Sequence, residues 1–340
     1  MSLPKYLNIA AAEMQQTLER ILLKHHFSKK KAKACAGIFT QNSIDGIYTH
    51  GINRFPRFVQ YIQKGYVVPH AKPTRQHRFG GIEQWHGNLG PGPSNAVFAT
   101  ERAMKLAKKH GIGCVALAHT NHWMRGGAYG WQAAKQGFAF IAWTNTTANM
   151  PAWGATNPKL GNNPLVFAAP YGEEAVVLDM AMSQYSFGAM ELAVMKNEKL
   201  SAVGGYDKDG HLTNDPELIL ESWRSLPIGF WKGAGLSFLL DVLAAILANG
   251  LATHEISQQP AEMACSQVFV AIDLSKLANA SSFSTAIQHI IEDYKTSLPI
   301  QAQDNISYPG ERVLATRQRN SKAGIPVLES VWREVVGFLE

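Results

Sequence analysis

Gly111-Ile112-Gly113-Cys114-Val115-Ala116 matches the GxGxx(G/A) string of a dinucleotide-binding fingerprint, and whether it is one decides the fold. In that fingerprint the glycines follow a strand and open a helix, so that a pyrophosphate meets the helix N-terminus. Here a helical pattern over Ser94 to Lys109 comes first and the apolar run Cys114 to Ala118 comes after, the reverse order. The glycines therefore close a helix and start a strand, and no Rossmann domain is expected around them.

Downstream, the strand runs into Thr120-Asn121-His122-Trp123-Met124-Arg125-Gly126-Gly127, where polar side chains sit between a strand end and a glycine turn, as in many α/β active sites. A short helix from Tyr129 to Gln136 and a strand from Phe138 to Thr144 follow. Leu165 to Ala169 and Val176 to Met180 read as two strands with a reversal at Tyr171-Gly172, a spacing that requires antiparallel pairing. Asp179 lies inside the second run, where a bare carboxylate is costly; it either caps a turn or accepts ribose or amide hydrogen bonds. Phe187 to Lys199 reads as a helix. Asp207-Lys208-Asp209-Gly210 lacks the later ligands of a calcium loop and reads as a β-turn. Leu226 to Gly235 leads into the apolar stretch Ala234 to Leu251, and Lys232 there either meets an anion or is solvated. With Asp241 near its middle, the stretch reads as a buried core helix rather than a membrane span. Ser266 to Ile272 is a strand, Phe283 to Lys295 a helix burying Ile287, Ile290 and Ile291, and Val327 to Leu339 a closing amphipathic helix.

Upstream, Asn8 to His26 has helical spacing in Met14, Leu18, Ile21 and Leu22, and Ser28 has the chemistry of an N-cap for a second helix through Ala32, Cys35 and Phe39. That helix ends near Gly46 and delivers Ile47-Tyr48-Thr49-His50-Gly51-Ile52-Asn53-Arg54-Phe55-Pro56-Arg57-Phe58. An imidazole exchanges protons near neutral pH, and an arginine four positions on grips a carboxylate through paired hydrogen bonds. Those two functions suit a 2-keto or 2-hydroxy acid; a solvated surface loop is the plain alternative. Gly87 to Pro93 is either an anion-binding loop or a connector.

The 340 residues, 46% hydrophobic and 17% charged, describe a well-buried globule without long disorder. The net charge of +6 is spread along the chain apart from Lys29-Lys30-Lys31, which favours small anionic ligands over nucleic acid. Cys35, Cys114 and Cys265 are widely spaced and suit free thiols in a reducing compartment. With no secretory pattern read at the N-terminus, a cytoplasmic location and no membrane partner are expected. His119 and His122 lack a nearby carboxylate or thiolate to complete a metal site, and no metal is expected. The absence of a GxSxG elbow sets aside a serine hydrolase.

Thr49-His50-Gly51-Ile52-Asn53-Arg54-Phe55-Pro56-Arg57-Phe58, Asn121-His122-Trp123-Met124-Arg125-Gly126-Gly127, Trp143-Thr144-Asn145, Gly229-Phe230-Trp231-Lys232-Gly233 and Pro309-Gly310-Glu311 together resemble the malate/L-lactate dehydrogenase type 2 family of NAD(P)-dependent oxidoreductases, in order and over nearly the whole chain. The resemblance implies an α/β fold of non-Rossmann type, with a largely antiparallel central sheet flanked by helices. It implies one such unit over residues 1–340, with a helical segment at about 1–75, a cofactor region at about 120–320 and C-terminal helices at about 311–340. It implies His50 as proton donor and Arg54 as carboxylate clamp, with His122 sharing or taking the acid–base role. It places NAD, with NADH preferred and NADPH accepted, along Ala175, Val176, Val177, Leu178, Asp179, Met180 and Ala181, reaching Trp231 and Lys232 and touching Gly310, Glu311 and Arg312, with Thr144 contributing. A homodimer and a small keto or hydroxy acid, within the branch that reduces a diketo sugar acid, complete the expectation. Malate, lactate, sulfolactate, ureidoglycolate or a cyclic imino acid are alternative substrates, and a non-catalytic sugar-acid binding protein is the alternative of another class.

Overall fold

The computed structural model describes residues 5–280, 282–301 and 305–340. In chain order the elements are β1 (Tyr6–Ile9), α1 (Ala11–Lys24), α2 (Lys29–Ile44), two 3₁₀ turns (Tyr48–His50 and Ile52–Arg54), α3 (Phe55–Gln63), β2 (Thr74–Phe79), β3 (Ile82–His86), α4 (Gly92–His110), β4 (Ile112–Thr120), α5 (Gly127–Ala134) and β5 (Phe138–Thr144). Then come β6 (Met150–Pro151), β7 (Pro158–Leu160), β8 (Leu165–Tyr171), β9 (Glu174–Met180), α6 (Phe187–Met195), β10 (Gly205–Tyr206), β11 (Leu212–Thr213), α7 (Pro216–Ser222), α8 (Trp231–Ala248) and α9 (Thr253–Ile256). The chain closes with β12 (Cys265–Asp273), a 3₁₀ turn at Leu274–Lys276, α10 (Phe283–Lys295), α11 (Glu311–Ala323), β13 (Ile325–Leu328) and α12 (Glu329–Gly337).

A seven-stranded sheet in the order β2-β3-β4-β12-β5-β8-β9 forms the centre. Only β3 and β4 pair in parallel; the other neighbours are antiparallel. Both faces are covered, which is why β4 is apolar throughout rather than alternating. Val115 and Leu117 face the core built by α4 and α5, while Ala116 and Ala118 face α8. The Gly111 turn ends α4 and feeds β4, so the glycine string does not open a helix. The Leu165–Met180 reversal is an antiparallel β8–β9 hairpin that runs to the sheet edge. Ser28 caps α2 by accepting from the Lys31 amide. The Asp207–Gly210 turn closes the β10–β11 hairpin.

Three expectations are corrected. α8 is not a buried core helix: Ser237, Leu240, Ala244 and Ala248 pack inward, but Phe238 (58% exposed), Leu239 and Ile246 (63%) face outward. Its 18 residues are long and apolar enough to cross a membrane by length and composition. Asp241 in its middle accepts from Asn145 Nδ2 and the Thr253 amide, both at 2.9 Å, and pins the helix to the sheet side. In α10, Ile291 is buried but Ile290 is 67% exposed and Ile287 only partly covered, because neighbouring helical positions lie about 100° apart and α10 meets the body along a thin line. The closing helix starts at Glu329, since Ile325–Leu328 pairs with Tyr6–Ile9 from the other chain end. This pairing puts the N-terminal helices and the C-terminal segment in one core with α3 and α12.

Candidate active site

The C-terminal end of α2 holds the first histidine. Asn42 Nδ2 donates to the His50 carbonyl at 2.9 Å, and the fully buried Ser43 hydroxyl accepts from the Ile52 amide at 2.8 Å while donating to the Phe39 carbonyl. Gly51 lies between these anchors, where a Cβ would fall 2.3 Å from Ser43 Oγ, so only glycine fits. Gly51→Ala is expected to cost about 1–3 kcal/mol through overpacking. It should also lower kcat by moving His50; chemical denaturation and steady-state kinetics matching the parent protein would refute this account. The Thr49 hydroxyl lies 3.2 Å from His50 Nδ1.

The end of β4 supplies the second histidine. Asn121 Nδ2 donates to the carbonyls of Tyr66, Leu89 and Gly90, and Gln267 Nε2 donates to the Asn121 carbonyl at 3.1 Å, which locks the loop. The Gly87 and Leu89 amides bond to the Ala118 and His119 carbonyls, so the Gly87–Pro93 loop is a connector clasped to β4. His122 Nδ1 accepts from the Met124 amide at 2.9 Å, which leaves the neutral ring its proton on Nε2. The His122 and His50 rings stack, centroids 5.6 Å apart and planes 20° from parallel. His119 turns away to stack on His86. Arg125 is buried and bonds Asp45 at 2.6 Å, the same carboxylate that Arg317 of α11 grips at 2.7 Å, tying α2, this loop and α11 together.

His122 lines a narrow cleft together with Arg54, Arg57, Tyr61 and Glu262, and the His50 ring stacks on His122 at its margin. A wider groove by Lys108, Phe138 and Asp273 holds none of the expected groups. Arg54 has no hydrogen bond or ion pair among the described residues although burial disfavours its charge, which leaves its fork free for an anion. Sequence reasoning missed Glu262, from the segment before β12. Its Oε1 lies 3.6 Å from His122 Nε2, and its Oε2 accepts from the Thr147 hydroxyl at 3.1 Å. No local pattern marks it, and only folding brings it to the cleft. Burial pushes His50 down to about 3, helped by His122 and Arg54, and pushes His122 down to about 3, helped by Arg54 and Arg57. Both imidazoles are therefore neutral in the unliganded site, where the sequence alone suggested titration near neutrality.

The expected cofactor segments lie along one edge. Ala175 to Met180 belong to the edge strand β9, and the Val177 amide donates to the Pro309 carbonyl at 3.2 Å, which sets Gly310, Glu311 and Arg312 at the start of α11 beside it. Beyond Ala181, the Ile228 amide donates to the Met182 carbonyl at 2.8 Å and brings the turn before Trp231 and Lys232 alongside. The chain then enters α6, where Gly188 packs directly against Thr49. Trp231 is 65% exposed, Lys232 Nζ sits 6.0 Å from its ring centroid, and neither Lys232 nor Arg312 has an ion pair among the described residues. Ser183 Oγ is buried without a hydrogen-bond partner. Free cations, an exposed ring, a strand edge and an orphaned hydroxyl fit a ligand carrying phosphates and aromatic rings.

Three expected contacts are already engaged elsewhere. Asp179 accepts from the Gly127 amide at 2.8 Å and faces Arg125, so it caps the start of α5. Thr144 is buried, its hydroxyl within 2.9 Å of the Asn145 carbonyl and 3.2 Å of the Ser266 carbonyl, so it braces the strand end. The Glu311 carboxylate bonds Lys295 and the Tyr308 amide.

The family model for malate/L-lactate dehydrogenase matches residues 9–336. The chain is 39% identical over 330 residues to the 2,3-diketo-L-gulonate reductase of Klebsiella pneumoniae, covering 97% of this chain and 99% of that protein. Among solved structures it superposes on a malate dehydrogenase from Entamoeba histolytica with a TM-score of 0.93 at 24% identity, covering 98% of this chain and 97% of the other. It superposes on a sulfolactate dehydrogenase from Methanocaldococcus jannaschii with a TM-score of 0.87 at 26% identity, covering 98% and 96%.

Proposed function

The chain belongs to the malate/L-lactate dehydrogenase family, an oxidoreductase family, and on that premise we propose that it reduces 2,3-diketo-L-gulonate to 3-dehydro-L-gulonate, taking NADH in preference to NADPH. The observation that carries this reading is the stacked pair His50 and His122 beside the Arg54 guanidinium, which makes no ion pair among the described residues. Arg54 binds the substrate carboxylate through its fork and presents the C2 ketone to the histidines. The reduced nicotinamide, when bound, supplies hydride to C2. His50, steadied by Thr49 at Nδ1, delivers the proton from Nε2 to the oxygen of C2, and His122 Nε2–H donates a hydrogen bond to the same oxygen. Val177, Trp231, Lys232, Gly310 and Arg312 hold the dinucleotide. The test follows NADH consumption with 2,3-diketo-L-gulonate against pyruvate, oxaloacetate, sulfopyruvate and a cyclic imino acid. The sugar acid is expected to have the highest kcat/KM. Binding without NADH consumption for every acid would make the chain a binding protein.

The pH dependence has a defined sign. A group with its pKa lowered to about 3 is protonated only in acid, and reduction needs the protonated form. Above pH about 4, kcat/KM for reduction should therefore fall tenfold per unit, while kcat/KM for alcohol oxidation, which needs the neutral base, stays flat. The bound carboxylate offsets the Arg54 charge and raises the imidazole pKa, so the break in kcat lies at higher pH than that in kcat/KM. A kcat/KM for reduction that is flat to pH about 6.5, the ordinary histidine value, would contradict the neutral pair.

The protein is further proposed to be a cytoplasmic homodimer of sugar-acid metabolism. The outward stripe Phe238, Leu239 and Ile246 of α8 supports a second copy covering that face, and the free Cys35, Cys114 and Cys265 support a reducing compartment. Light scattering reads the stoichiometry.

A further inference from the structure

We propose that Glu262 selects the substrate tail: with Arg57 and Tyr61 it forms a subsite for a neutral, polyhydroxylated chain and rejects a second carboxylate. The inference rests on the function proposed above and deepens it. Glu262 Oε2 is held by the Thr147 hydroxyl, so the carboxylate is fixed in place, while Oε1 at 3.6 Å from His122 Nε2 is too far for a hydrogen bond and keeps its accepting capacity for a ligand. Arg57 is exposed at the cleft rim without an ion pair among the described residues, and the Tyr61 ring lines the same cleft. Beyond the carboxylate clamp the cleft thus offers a fixed acceptor, a donor fork and a hydroxyl that does both, the inventory that adjacent hydroxyl groups require.

The charges agree. Arg54 and Arg57 bring two positive charges and Glu262 one negative. A keto acid with a single carboxylate brings the sum to zero, whereas a dicarboxylate leaves a net negative charge and places like charges beside a fixed carboxylate. Malate-type acids are therefore disfavoured by Glu262 itself, and hydroxylated acids gain a hydrogen bond to it.

The experiment measures kcat and KM for 2,3-diketo-L-gulonate, oxaloacetate and pyruvate with the unmodified protein, E262Q and E262D. E262Q is expected to raise KM for the sugar acid about tenfold, with kcat changed by less than about threefold, and to lower its kcat/KM relative to oxaloacetate by about 10- to 100-fold. E262D, which keeps the charge, should keep the preference against oxaloacetate. An unchanged ratio in E262Q overturns the proposal. So does a common fall in kcat for all three acids with KM held, which would make Glu262 a positioning residue for His122, and so does total inactivity of both variants, which would make its role structural. If the unmodified protein oxidises NADH with none of the acids, the function itself fails; if it reduces the sugar acid and the ratio does not move, only the tail assignment fails.

Discussion

His50→Asn is expected to lower kcat for keto-acid reduction by about 10² to 10⁴, the range of general-acid catalysis by a positioned side chain. The asparagine keeps the backbone anchors, because Asn42 bonds the residue-50 carbonyl and Ser43 bonds the Ile52 amide, neither through the imidazole. NADH binding, followed by fluorescence, should stay within about threefold, since β9, the α8 start and the α11 start do not use the ring. Near-normal turnover in this variant would transfer the proton to His122, which stacks on His50 and lines the cleft beside Arg54. His122→Asn would then carry the large loss.

Arg54→Lys is expected to lower kcat/KM by about 10² to 10³, or about 2.7–4 kcal/mol at 1.36 kcal/mol per decade. Lysine keeps the charge but not the planar fork, and a point charge does not hold a carboxylate in one orientation. Most of the loss should appear in KM, with a smaller fall in kcat from misaligned ketone. The Arg54 guanidinium makes no hydrogen bond or ion pair among the described residues, so its replacement should leave the melting temperature nearly unchanged. A lysine variant that reduces keto acids with unchanged KM would show that the carboxylate is held elsewhere, and Arg57 at the rim would be the next group to replace.

Particular residues show how far the chain reads locally. Ser28 as a cap, the Gly111 turn and the β8–β9 reversal are short-range features, legible because cap chemistry, glycine at a helix end and a two-residue reversal act within a few positions. Val327 and Leu328 carry helical spacing but lie in β13, because the strand partner that decides them sits at Tyr6–Ile9. α8 reads as core from its sequence because an all-apolar helix carries no local sign of which face meets the sheet and which stays open. Asp179 is ambiguous in the sequence because the groups it meets, Gly127 and Arg125, lie more than fifty residues upstream.

The order of helix, glycines and strand around residue 111, the paired strands near residue 171 and the chemistry of the His50–Arg54 and Asn121–Gly127 segments were determined by sequence, since each depends on bonds and periodicities within one or two turns of chain. Tertiary structure alone decided that the two imidazoles stack, that both are held neutral, that Arg54 has no hydrogen bond or ion pair among the described residues and that Glu262 faces His122. Burial and long-range electrostatics set those properties, and both depend on which distant segments exclude water from the same cleft.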